Sequence, residues 1–550
     1  MNGTKVHSHI PEMLEQVKTG TLSRREFLRR STLLGLSAGI ACQLVGFSGV
    51  VRNARAAEIR RGGVLMISCS VMKVTHPAQY SWIQPANIFR QVLEYLTITG
   101  PDNITRPYLC ESWKVSEDLQ TWTFNLRKGV RFNNGDAFTA DDVMFTIGQW
   151  LDKDVQSSML GLIGDYLDMS GLEKVSDHQI KLHLKRPEIA VPEHLFHFPA
   201  QILNHKTFQG DILKAPHGTG PYTLEVYSEG QAAELKARSD YWQLGADGKA
   251  LPYLDGIKFI DMGTERAPQI AALQSQDIHL IETSDNPGPD IMLAVQNDPN
   301  IQVLSVSTAQ TRVLRMRSDV HPWTDNRVRT ALKLCQNREK ILALAFHGQG
   351  LQAHDTHVYP NHPEYCRKSI PGYDPQKAKA LLKEAGYPEG ITVNLAVASA
   401  WTDVVRYAEI LEQDAKPAGI KININTMPTS QYWEKWTEVA LGITPWTHRP
   451  LGTMVLNLGY AADAEGKALP WNETRWVDEE FNTLLKQANG TLDVEERRKI
   501  FCKLEQIQMD RGSIGLSFWM NTWICPNKRL NNVLAHPTAY LLLNEAWLES

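Results

Sequence analysis

The stretch from residue 374 to 425 constrains the fold more than any other part of this chain. Asp374-Pro375 opens a helix with a capping side chain and a proline at its first position, Ala378, Leu381, Leu382 and Ala385 make its apolar face, and Gly386 stops it. Residues 391–397 then read as a strand, 403–416 as a helix and 420–425 as a second strand. A strand–helix–strand run of this kind implies a parallel sheet with helices on its faces. Further upstream, Thr121-Trp122-Thr123-Phe124-Asn125-Leu126 alternates polar and apolar, as a half-buried strand does. Asn133-Asn134-Gly135-Asp136 follows as a turn, and Thr139 caps the next helix with Asp142 as its capping-box acid. Asp325 and Asp493 head two more amphipathic helices; Leu332 and Cys335 line the first, and Ile500, Phe501, Leu504 and Ile507 the second. The fold class is α/β.

The N-terminal residues constrain where the chain works. Arg24 and Arg25 precede an uncharged, weakly apolar run from residue 31 to 51, and Ala54-Arg55-Ala56-Ala57 supplies a small-residue exit. A basic region, an apolar region and a cleavage site make a secretory signal, and the arginine pair makes it the twin-arginine kind. Residues 1–57 are therefore expected to be a signal that the twin-arginine translocase recognises, cleaved near Ala56-Ala57 to leave a periplasmic protein. Gly35, Gly39, Gly46 and Gly49 make the run a poor membrane anchor, and Gly39 spoils a lipid-attachment motif around Cys42.

The signal holds eight Lys/Arg and three Asp/Glu; removing its net +5 from a whole-chain charge of −4 leaves about −9. That disfavours nucleic acid and anionic membrane as partners. About 490 mature residues are too many for one core and imply two or three lobes. The six remaining cysteines, Cys69, Cys110, Cys335, Cys366, Cys502 and Cys525, form no C-x-x-C pair, so zinc, iron–sulfur and thioredoxin-type chemistry lack support. One or two disulfides suit an oxidising compartment, in pairings the sequence leaves open. Gly35-Leu36-Ser37-Ala38-Gly39 matches a hydrolase elbow but lies in the signal, and Gly348-Gln349-Gly350 follows a helix where a dinucleotide motif needs a strand. His354 with His357, and His194 with His197, lack a third metal ligand. No catalytic constellation, cofactor or metal site emerges, and the chain reads as a binder rather than an enzyme.

One long motif is specific. It runs Glu111-Ser112-Trp113-Lys114-Val115-Ser116-Glu117-Asp118, then Thr121 to Phe132 through Arg127-Lys128-Gly129-Val130-Arg131, then Asn134-Gly135-Asp136 and Thr139-Ala140-Asp141-Asp142-Val143. Four segments follow it: His217-Gly218-Thr219-Gly220-Pro221-Tyr222 with Asp240-Tyr241-Trp242; Asp325-Asn326-Arg327-Val328-Arg329; Tyr373-Asp374-Pro375 with Leu381 to Tyr387; and Glu496-Arg497-Arg498. From about residue 60 to 545 the chain resembles the family 5 extracellular solute-binding proteins of ABC importers, the dipeptide, oligopeptide and nickel group. The resemblance implies two α/β lobes joined by two crossing strands, with an extra subdomain on the first. Lobe I would span 58–303 with the subdomain at about 85–200, lobe II 304–511, and residues 512–550 would return to lobe I. It further implies a monomer that closes by hinge motion on a small-molecule ligand in the cleft between lobes and presents it to permease subunits in the inner membrane.

The resemblance also points to the ligand. The family's peptide binders carry an acidic motif in the second lobe that holds the peptide ammonium; here the corresponding stretch is Trp446-Thr447-His448-Arg449-Pro450-Leu451-Gly452, with a histidine and an arginine in place of the acid. A guanidinium in the cleft takes a carboxylate or phosphate, and an imidazole adds a second, pH-sensitive donor. The expected solute is anionic or polyfunctional: an opine-like conjugate, a carboxylated chelate, a sugar-phosphate conjugate or a modified peptide. The competing reading has Arg449 paired with a protein carboxylate. Aromatic candidates for stacking are Trp401, Tyr432, Trp446 and Trp519, with Asn521 beside the last, and Met72 and Tyr80 are candidates on the first lobe. Tyr432 and Trp436, four apart, are expected to share a helix face. Two rivals share the field: a metal-chelate or haem receptor on the same fold, and a cofactor enzyme exported by the twin-arginine route.

Overall fold

The computed structural model of the protein describes residues 9–18, 27, 31, 59–284, 289–463 and 465–549. Arg24, Arg25, Cys42 and the cleavage site at Ala56-Ala57 lie outside the described residues. The chain divides into two compact units, one running to Ser305 and resuming at Trp523, the other spanning Val306–Thr522. Among the described residues no helix is long and apolar enough to cross a membrane.

Among its described residues, unit 1 carries a five-stranded sheet in the order Leu280–Ile281, Val64–Ser68, Gly256–Ile260, Ala232–Ala237, Tyr222–Ser228. Val64–Ser68 is parallel to both of its neighbours, whereas the remaining pairs are antiparallel. A second, antiparallel sheet is ordered Cys110–Val115, Thr121–Leu126, Gln179–His183, Leu172–Ser176. Along Thr121–Leu126 burial alternates with period two, so Trp122, Phe124 and Leu126 enter the core, as the polar–apolar alternation predicts. The turn that follows places Gly135 at a φ of 90°, where a side chain would be strained. The capping box forms: the Thr139 amide donates to the Asp142 carboxylate at 2.8 Å and starts the helix Ala140–Leu151.

Unit 2 is built on a six-stranded sheet in the order Gly350–Gln352, Ile514–Ile524, Leu304–Met316, Leu441–Trp446, Ile391–Ala398, Ile420–Met427. Ile391–Ala398 and Ile420–Met427 are parallel, in register from Ile391 against Ile420 to Ala398 against Met427. The helix Thr402–Ala415 is their crossover and buries Val404, Tyr407, Ala408 and Leu411. That is the strand–helix–strand unit read from the sequence, and its reason is local: apolar runs of period two flank one of helical period. The helices Pro375–Glu384 and Val494–Arg511 open on Asp374 and Asp493, whose carboxylates accept the amides of Lys377 and Glu496. The chain enters unit 2 along Leu304–Met316 and leaves along Ile514–Ile524. A disulfide joins Cys366 to Cys502 on the helix Val494–Arg511, across a sequence separation of 136 residues.

Candidate functional site

The strand Leu441–Trp446 ends in the loop 447–451, and the helix Gly452–Tyr460 begins immediately after it. Gly452 is required there, since a Cβ would stand 2.6 Å from the Phe501 ring. Two histidines pin the loop. His448 Nδ1 accepts the Ala309 amide at 3.0 Å, which fixes the proton of a neutral ring on Nε2. His362 Nδ1 accepts the Tyr359 amide at 3.0 Å, and its Nε2 meets the Arg449 carbonyl at 2.8 Å. Between those anchors Arg449 is half-buried, and its Nη1 donates to Thr447 Oγ1 at 2.8 Å and to the His448 carbonyl at 3.1 Å. Burial lowers His357 to a pKa of about 3, with the charges of His362 and Arg449 adding to the effect.

Beneath the loop lies a buried ionic knot. Glu473 accepts Trp446 Nε1 at 2.8 Å on one oxygen; on the other it accepts Thr444 Oγ1 at 2.6 Å and meets Arg315 Nε at 3.0 Å. Arg315 also donates to the carbonyls of Val439 and Trp436. Burial raises the Glu473 pKa, against the pull of Arg315. The knot ties the strand Leu441–Trp446 to the segment that carries the aromatic side chains.

Those side chains form a continuous edge-to-face array. Trp401 meets Tyr432 at 5.5 Å and Trp433 at 5.3 Å; Trp433 meets Trp436 at 5.7 Å, Trp436 meets Trp471 at 5.6 Å, and Trp471 meets Trp446 at 6.2 Å. Trp471 is 48% exposed, and Trp401, Trp433 and Trp436 are half-buried. Tyr432 is fully buried and its hydroxyl is bonded to Ile443 O and Thr444 Oγ1. Tyr432, on the helix Thr429–Lys435, and Trp436, at its C-cap, pack in one cluster and are linked through Trp433.

The other candidates are placed as follows. Trp519 is buried in the unit 2 core, its ring 5.8 Å from His357 and 5.3 Å from Tyr359. Trp446 belongs to the same core and its N–H is engaged by Glu473. Asn521 is half-buried and accepts Ser307 Oγ at 3.0 Å. In unit 1, Met72 is half-buried and its carbonyl accepts the Tyr227 hydroxyl. Tyr80 is buried against Phe89, and burial raises its hydroxyl well above the ordinary range. Arg449, His448 and the aromatic array all belong to unit 2, while Met72 and Tyr80 stand in unit 1. Trp471 escaped the sequence reading; a lone tryptophan after Pro470 carries no periodic signal, and only the fold sets it beside Trp436 and Trp446.

The family model described as "Bacterial extracellular solute-binding proteins, family 5 Middle" matches residues 105–461. The di/tripeptide-binding protein 2 of Pseudomonas aeruginosa is 27% identical over 435 residues, covering 73% of this chain and 78% of that protein. Among solved structures, the periplasmic binding protein DppA of Helicobacter pylori in complex with the peptide STSA superposes with a TM-score of 0.75 at 22% identity, covering 89% of this chain and 99% of that one. The binding protein AgaA of Agrobacterium tumefaciens R10 in complex with agropinic acid superposes with a TM-score of 0.74 at 21% identity, over the same shares. At those identities the two structures speak for the fold, and the family model speaks for the lineage.

Proposed function

Because this chain belongs to the bacterial extracellular solute-binding proteins of family 5, we propose that it captures one small anionic or polyfunctional solute and hands it to the permease of an ABC importer. It binds without making or breaking a bond. A ligand favours the closed state by its difference in affinity for the open and closed states, and that difference is what drives closure.

The observation that most supports the anionic reading is Arg449. Its half-buried guanidinium is held in a loop pinned by His448 and His362, in the stretch that the family resemblance would match to the acid of the peptide binders. A planar guanidinium matches a carboxylate in shape and charge, and a peptide ammonium would be repelled by it. The aromatic array with exposed Trp471 suits a solute with a flat or aliphatic body. The P. aeruginosa relative is named for di- and tripeptides and the A. tumefaciens structure holds agropinic acid, so the ligands in this company are polyfunctional amino-acid-like compounds. Export by the twin-arginine route, with cleavage near Ala56-Ala57, completes the reading.

The test is a titration of the solute released from the purified protein. Arg449→Ala should weaken its binding by about ten- to a hundredfold, the share of one charge-assisted contact. An unchanged Kd would remove Arg449 from the site.

A further inference from the structure

Residues 353–366 form neither helix nor strand, yet most of them are buried. Side chains therefore have to hold this strap in place. The helix Val494–Arg511 supplies several: Arg498 Nη2 donates to the Pro363 carbonyl at 2.7 Å, Gln508 Oε1 accepts the His357 amide at 3.0 Å, and Glu505 Oε1 accepts the Cys366 amide at 2.8 Å. The strap in turn holds the Arg449 loop. His362 Nε2 meets the Arg449 carbonyl at 2.8 Å, and Glu364 Oε2 accepts the Gly452 amide at 3.3 Å while its Oε1 accepts Arg497 Nε at 3.1 Å.

The seat of the strap on the helix leaves polar groups unanswered. Both ring nitrogens of His354, Thr356 Oγ1, Glu505 Oε2 and Gln508 Nε2 are buried without a hydrogen-bond partner among the described residues. His354 Nε2 and Glu505 Oε2 stand 4.0 Å apart, too far for a hydrogen bond. Buried polar groups left unpaired favour any motion that lets water reach them. A covalent bond opposes that motion. Cys366, at the end of the strap, is joined to Cys502, three residues before Glu505 on the helix. Both cysteines are half-buried and not sealed in the core.

We propose that the Cys366–Cys502 bond is a redox switch on solute capture: oxidised, it seats the strap and with it the Arg449 loop; reduced, it lets the strap lift and slackens the hold of His362 and Glu364 on that loop. The consequence for capture rests on the reading of Arg449 given above; the loosening of the strap does not. The step is a thiol–disulfide exchange. The two thiols give up two protons and two electrons to a disulfide oxidant, which leaves as two thiols, and the S–S bond forms. Cytosolic thiols are kept reduced and exported ones become oxidised, so the chain gains its full grip on solute only after export.

Hydrogen exchange of the oxidised protein against the protein held in dithiothreitol tests the switch without any solute. Reduction should speed exchange across residues 353–366 and at the Gly452 amide by about tenfold or more, and leave the strand Val64–Ser68 and the helix Thr402–Ala415 as protected as before. Cys366→Ala with Cys502→Ala should exchange like the reduced chain in either buffer. Equal protection of the strap in both redox states overturns the proposal. So does loss of protection throughout, which would make the bond a staple of the whole fold. The compound released from the purified protein should bind the reduced protein about tenfold more weakly; an unchanged Kd over a loosened strap overturns the link to capture. A protein that retains no compound counts against the importer reading instead, and the exchange result stands apart from it.

Discussion

Glu505 shows how burial turns a single carboxyl into a pH-dependent element. It sits inside unit 2 with one oxygen accepting the Cys366 amide at 2.8 Å and the other 4.0 Å from the buried ring of His354. Burial pushes its pKa up to about 8, with Lys368 pulling it down and Glu364 pushing it up, while burial holds His354 below its ordinary value. A raised carboxyl contributes its stability below its ordinary value of 4.5 and loses it as pH climbs toward about 8. Denaturant unfolding across that window should therefore show the wild type losing stability relative to Glu505→Gln by about 1 kcal/mol per pH unit. A constant difference between the two would show that Glu505 is ionised throughout. At this scale the sequence did not reveal the partners of Trp446 and His448: the Trp446 N–H is taken by Glu473, 27 residues downstream, and His448 Nδ1 accepts the Ala309 amide, 139 residues upstream. Which distant group satisfies a polar handle is a property of the fold.

Elements whose signals are local were legible in the chain. The Thr139–Asp142 box, the Asp374 cap and the strand–helix–strand from 391 to 427 each follow from neighbours in sequence. Sheet order did not, because it depends on pairings between distant residues. Leu441–Trp446 sits antiparallel to Leu304–Met316 on one side and parallel to Ile391–Ala398 on the other. The edge strand Gly350–Gln352 was hidden behind its glycines; Gly350 passes so close to the Trp519 carbonyl that a Cβ would lie 2.0 Å from that oxygen. Asp374→Ala should cost about 1 kcal/mol in equilibrium unfolding through the lost cap. The Cys366–Cys502 bond closes a long loop onto the helix Val494–Arg511. Its removal by Cys366→Ala with Cys502→Ala should cost about 3–5 kcal/mol, read as a lower urea midpoint, and an unshifted midpoint would show that the bond adds nothing to the packed helix.

For the whole molecule, a disulfide among the described residues suits an oxidising compartment, in keeping with export. If the arginine pair directs that export, Arg24→Lys with Arg25→Lys should leave the precursor in the cytoplasm, whereas the unaltered chain should appear in the periplasm with a new N-terminus near Ala57. The importer role was legible because the family motif is long and specific; the solute was not, because no sequence motif names it. The most direct measurement is native mass spectrometry of the periplasmic protein, followed by return of the released compound to stripped protein. The account predicts one small anionic compound per chain, rebound with its mass unchanged and bound more weakly by Arg449→Ala. A chain that carries and rebinds no compound, or one that converts the compound to a product of different mass, would contradict it.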